Sequence, residues 1–130
     1  VALLGDARHH FGLGVDLETI TTRPDQVAAQ TLRAAELALI DPDNALSVTL
    51  TFSAKESLFK ALYPRVRKLF GFDAAELVSL GDESGQLRLR EALGPWSQGA
   101  LFRFSWSRAG DQVLTALSVP YARSVAPPST

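Results

Sequence analysis

The sequence contains no cysteine, which excludes a disulfide scaffold and any thiolate metal site. That absence fits a reducing compartment. No apolar run approaches the ~20 residues needed to cross a bilayer, so no membrane role is expected. No basic segment followed by an apolar one opens the chain, so export is not expected and the cytoplasm is the expected location. The formal charge is −1, too small for the molecule's overall field to recruit nucleic acid or an anionic membrane. Any polyanion must therefore be met by a local cluster.

What is present is ordinary globular material. With 130 residues, 46% hydrophobic and 21% charged, the chain suits one compact domain and leaves no room for two cores. The expected division is a domain over residues 1–121 and a loose tail over 122–130, which carries the run Pro127-Pro128. The chain opens with Val1 instead of methionine, which reads as a processed chain or part of a longer protein. There is no internal repeat.

Residues 13–19 alternate apolar and acidic side chains, the period of a strand with one buried face. Pro24 and Asp25 mark a helix start, and the spacing predicts a helix over residues 26–40 with Leu32, Ala35 and Leu39 as its apolar stripe. Asp41-Pro42-Asp43-Asn44 ends it, because proline cannot continue a helix. Residues 46–52 alternate again and by period alone predict a strand. Ser53 and Glu56 then form a candidate capping box for a helix ending at Pro64. Beyond Gly71, residues 77–80 and 86–90 flank one hairpin signal, and residues 101–107 and 112–119 flank another. Phe102, Phe104 and Trp106 share a face of the third of these strands. Both tryptophans, Trp96 and Trp106, read as packing. The fold class is α+β, with antiparallel sheet packed against helices.

Three carboxylates stand out: Asp16, Glu18 and Glu56. On a strand, positions i and i+2 face the same way, about 6–7 Å apart. Asp16 and Glu18 therefore project together, and Val15 and Leu17 are expected to point into the core. Neighbouring carboxylates repel unless a cation lies between them. An oxygen-only ligand set suits magnesium or manganese, and magnesium commonly shares its sphere with substrate phosphates. The plainer reading is an acidic, solvated strand face. Glu56 and Lys60 lie at i and i+4, which by itself reads as a surface ion pair worth about 0.3–0.5 kcal/mol. Lys55, Glu56 and Lys60 set among Phe52, Leu58, Phe59 and Leu62 raise a second possibility: a helix packed on one side that aims charge at a metal and a pyrophosphate.

Gly14-Val15-Asp16-Leu17-Glu18, followed by Phe52-Ser53-Ala54-Lys55-Glu56-Ser57-Leu58-Phe59-Lys60-Ala61-Leu62-Tyr63-Pro64, resembles the two signature motifs of the 4'-phosphopantetheinyl transferases. The second motif is closer to the siderophore (enterobactin-synthesis) type than to the short holo-acyl-carrier-protein synthases. The resemblance is close over about residues 12–64. It implies transfer of phosphopantetheine from coenzyme A to a carrier-protein serine, with release of 3',5'-ADP. It implies that Asp16, Glu18 and Glu56 bind the metal, magnesium or manganese. Lys60 and Lys55 would meet the coenzyme A phosphates, and Glu56, directly or through metal-bound water, would act as the base. It also implies a single helix through residues 46–63, which is the expectation adopted over the alternation reading. Arg65, Arg67 and Lys68 form a candidate dock for an acidic carrier helix, against the plainer reading of a solvated basic turn.

Members of the siderophore type are about twice as long and built as two similar halves with coenzyme A between them. The first half supplies a Ser-x-Ser-His segment that this sequence lacks, and His9-His10 does not replace it. The chain is thus expected to be the second half of a longer enzyme, with a self-associating subunit as the alternative. Either way, a second lobe or a second copy completes the cleft. The rival from another class is a non-catalytic half-domain that binds a carrier or partner lobe. Its three acids and Lys60, which a scaffold does not require, speak against that rival. A nuclease using Asp-x-Glu is disfavoured by the near-neutral charge.

Overall fold

The computed structural model describes residues 11–66 and 71–120. His9, His10, Arg67, Lys68 and the tail lie outside them. Among the described residues no helix is long and apolar enough to cross a membrane.

Among the described residues, five strands form one antiparallel sheet: β1 (Phe11–Thr19), β2 (Ala75–Leu80), β3 (Ser84–Leu89), β4 (Leu101–Ala109) and β5 (Gln112–Pro120), in the spatial order β1-β5-β4-β3-β2. Both hairpins lie where the turn residues place them, β2 with β3 and β4 with β5. The described residues also form two α-helices, α1 (Pro24–Thr31) and α2 (Ala45–Val66), and two short 3-10 helices, Ala34–Ala38 and Phe72–Ala74, so the fold is α+β.

Pro24 lies in the first turn of α1, where its fixed φ suits the helix and its missing N–H costs nothing. The helix expected to run on to residue 40 stops at Thr31. Leu32 and Arg33 are extended, and the 3-10 helix follows. Of the expected stripe, Leu32 packs half-buried against the core, whereas Ala35 and Leu39 are exposed, and within residues 32–40 the buried ones are Glu36 and Ile40.

α2 is one continuous helix through both the stretch that alternates and the motif that follows. It starts at Asn44, whose Oδ1 accepts the Ser47 N–H at 2.9 Å. Ser53 and Glu56 therefore form no capping box, and Pro64 does not end the helix, which continues to Val66. Val48, Thr49, Leu50, Thr51, Ser53, Ala54, Lys55, Ser57, Leu58, Ala61 and Leu62 are all buried. A helix enclosed on most sides shows little amphipathic period, which is why alternation imitated a strand. Thr51 is satisfied within the helix, its hydroxyl donating to the Ser47 carbonyl at 2.9 Å.

The core lies between α2 and the sheet face bearing Leu77, Leu87, Leu89, Phe102, Phe104, Leu117 and Val119. Trp96 packs edge-on to Phe102 with ring centroids 6.4 Å apart, and the Trp106 indole donates to the Gly81 carbonyl at 2.9 Å. On β1 the expected inside and outside are exchanged. Asp16 is buried against α2, whereas Leu17 is 59% exposed. Gly12, Gly14 and Asp16 face the helix. On the opposite sheet face, which no helix covers among the described residues, Leu17, Leu101 and Leu114 are exposed.

Candidate active site

β1 and α2 approach so closely that only glycine fits between them. A Cβ on Gly14 would lie 1.7 Å from the Ser57 carbonyl oxygen and 3.1 Å from the Ala61 nitrogen. Buried hydroxyls form a seam beside this contact. The Thr115 hydroxyl lies 2.8 Å from that of Ser53 and 2.6 Å from that of Ser57. Ser57 Oγ donates to the Thr115 carbonyl at 3.2 Å, and Ser53 Oγ to the Asp16 carbonyl at 3.3 Å. Thr115 stands opposite Asp16 in the β1–β5 register. The backbone of the acidic strand is thus fixed to α2 at Asp16 itself.

From this arrangement Asp16 and Glu18 project together, as their spacing predicts, and Glu56 and Lys60 face them from α2. The Lys60 ammonium donates to Asp16 Oδ1 at 2.9 Å and to the Val15 carbonyl at 3.1 Å. The Lys60 side chain is half exposed, the Asp16 side chain only 7%. Asp16 Oδ2, by contrast, is buried and receives no hydrogen bond.

An orphaned carboxylate oxygen in the interior is costly, which makes a cation or a proton its natural partner. The neighbours register the crowding. Glu18 is pushed from the ordinary 4.5 up to about 7, first by burial, then by the adjacent Asp16 carboxylate and the negative charge of Glu56, with Lys60 opposing. Glu56 is raised as well, by burial first and then by Asp16, again against Lys60. Among the described residues no three acidic or histidine side chains are already closed around a metal position. The donor set nonetheless fits a hard divalent cation: oxygen only, one oxygen unsatisfied, and mutual repulsion that a cation relieves.

A pH dependence follows. A cation binding Glu18 must displace the proton held up to about pH 7, so manganese affinity is expected to rise between about pH 5 and pH 8 and then level off. Isothermal titration across that range checks this; a flat profile contradicts it. For the metal-free fold, unfolded Glu18 loses its proton near 4.5 and the folded form only near 7. The stability from this group is therefore complete at acid pH and lost as pH rises through 7.

Lys55 is not in the cluster. Its side chain is fully buried and paired with Glu36, so it does not present its ammonium to a substrate phosphate. Sequence reasoning missed Glu36, and the available signal was a lone acid within the apolar stretch 34–40. Of the candidate dock formed by Arg65, Arg67 and Lys68, the last two lie outside the described residues. Beside Glu18 a cleft of about 230 Å³ is lined by Thr19, Thr21, Val27, Thr49 and Phe52. A larger groove of about 630 Å³, lined by Trp96, Leu101, Phe102, Phe104, Ala116 and others, contains none of the acids.

Comparison with known proteins gives a consistent picture. Enterobactin synthase component D of Salmonella typhi is 33% identical over 121 residues, covering 86% of this chain and 51% of that protein. The protein of that name from Salmonella austin is 35% identical over 125 residues, with the same shares covered. The chain spans about half the length of the curated relatives it matches. The model of the 4'-phosphopantetheinyl transferase superfamily matches residues 12–117, from β1 into β5 and across every acid and lysine of the cluster. On that match, the chain belongs to the 4'-phosphopantetheinyl transferase superfamily.

Proposed function

We propose that this chain carries the catalytic acids for moving 4'-phosphopantetheine from coenzyme A to the serine of an apo carrier protein, with magnesium or manganese as cofactor and 3',5'-ADP as leaving group. The observation that carries the reading is the buried, unpartnered Asp16 Oδ2 beside Glu18, Glu56 and Lys60. Asp16, Glu18 and Glu56 would hold the cation. When bound, it would supply charge neutralisation at the pyrophosphate and lower the barrier to displacement.

The chain's own residues do the rest. Lys60, half exposed and held at Asp16 by a bond of 2.9 Å, is free to swing its ammonium onto a phosphate oxygen once the Asp16 charge is otherwise matched. There it stabilises charge developing on the leaving oxygen. Glu56, whose proton affinity burial and Asp16 raise, suits acceptance of the serine proton. Its rigid helix keeps that carboxylate in one position, so much of the acceleration comes from orientation.

A second lobe or a second copy of the chain belongs to the same proposal. The chain spans half of its relatives, and the sheet face away from α2 leaves Leu17, Leu101 and Leu114 exposed. The direct test is mass spectrometry of an apo carrier incubated with the protein, coenzyme A and magnesium. The expected result is a gain of one phosphopantetheine group that chelation abolishes. No gain, with protein that also binds neither manganese nor coenzyme A, rejects the reading.

A further inference from the structure

Lys55 and Glu36 form a saturated junction on another flank of α2. Both side chains are wholly buried. The Lys55 ammonium lies 3.1 Å from each oxygen of the Glu36 carboxylate. It also donates to the Thr31 carbonyl at 2.8 Å and reaches the Phe72 carbonyl at 3.4 Å. An ammonium has three protons, so none remains for a substrate. Glu36 in turn accepts the Arg33 N–H at 2.7 Å and the Leu77 N–H at 2.5 Å. One ion pair thereby joins the end of α1, both 3-10 helices, α2 and β2.

Such a pair is poor material for stability alone, because desolvating two charges consumes most of their attraction. Its directional bonds do something an apolar contact does not: they fix how far α2 is rotated about its axis. Glu56 is the next residue, about 100° further round the helix. With Lys55 held on one flank and the Ser53–Ser57–Thr115 hydroxyls on another, Glu56 has one remaining direction, towards Asp16 and Glu18.

We propose that Glu36, acting through Lys55, is the positioning residue that aims Glu56 at the metal-binding acids. The inference rests on the metal reading above for what Glu56 does. It replaces the phosphate-contact role that the motif implied for Lys55.

The test uses Lys55→Met, which leaves Glu36 its two backbone N–H bonds but removes the ammonium. Three quantities are measured: the melting temperature, manganese affinity by electron paramagnetic resonance of the free ion, and coenzyme A affinity by calorimetry at saturating metal. The melting temperature is expected to fall by about 10 °C or more. Manganese affinity should weaken by about tenfold or more, the scale of a lost outer-shell contact. Coenzyme A affinity at saturating metal should remain within about twofold of the parent, since no phosphate contact is lost.

An unchanged melting temperature with weakened coenzyme A binding overturns the proposal in favour of a substrate contact. A lowered melting temperature with parental manganese affinity overturns it in favour of plain packing. If Lys55→Met does not fold, Glu36→Asp decides, because it keeps the charge and shortens the reach. Weaker manganese binding then supports the proposal, and unchanged binding overturns it. If the parent protein itself binds no manganese, the metal reading fails first and the aiming role falls with it, an outcome distinct from a parent that binds and variants that bind equally.

Discussion

Replacing Asp16 by asparagine is expected to abolish metal-dependent transfer, by a factor on the order of a thousand, while the protein stays folded. The change removes one charge and almost no volume. The asparagine side chain would still have an oxygen for the Lys60 ammonium now bound at 2.9 Å, but its amide nitrogen would take the place of the second carboxylate oxygen and repel a cation. Relief of repulsion acts the other way on stability, since the Asp16 charge helps to raise both Glu18 and Glu56. The melting temperature should therefore hold or increase. Glu56→Gln should cost as much, because it removes both a ligand and the proposed base. Each variant is checked by the rate of carrier modification against magnesium concentration, with circular dichroism to verify the fold. Near-normal turnover by either would refute the assignment of these acids.

The second large effect concerns packing. Gly14→Val is expected to destabilise the protein by about 3 kcal/mol or more, at the upper end of overpacking penalties. The clash is with backbone: the Ser57 carbonyl oxygen at 1.7 Å and its carbon at 2.7 Å. No rotamer change relieves that, so β1 must move off α2. Displacement would open the hydroxyl seam around Thr115 and carry Asp16, two residues on, away from Glu56. Stability and manganese affinity should therefore fall together. Gly71→Ala is the control, since a Cβ there meets nothing within 4 Å. Urea denaturation of the two variants makes the comparison. Equal midpoints would mean that the strand and helix are not held at this separation.

The sheet was readable in the sequence because its strands behave ordinarily. β2 to β5 alternate, and their turns carry glycine and aspartate. Two places were less legible, for opposite reasons. α2 is enclosed, so its polar residues are buried along with its apolar ones and its period is obscured; Ser53, Ser57 and Lys55 all lie inside. The motif resemblance gave the continuous helix that periodicity missed. β1 reverses the usual partition, with a carboxylate inside and Leu17 outside, because the acidic cluster occupies its inner face while no described element covers its outer face. Pattern rules assume that leucine marks the core, and here the assumption fails on the strand that matters most. The acids Asp16 and Glu18 and their shared direction were legible from the two-residue period. The fate of Lys55 was not, because nothing local in the sequence couples it to Glu36.

The pairing of β1 with β5 bears on how the protein is made. Asp16 rests opposite Thr115, so β1 leaves the ribosome long before the neighbour it must pair with. Until β5 follows, the acids have a helix to approach but no strand to hold them, and contacts so distant along the chain form slowly. The proposed metal-binding surface should accordingly be among the last parts of this domain to mature during synthesis. Ribosome-stalled chains that stop short of Gln112 should bind no manganese, even with α2 already formed.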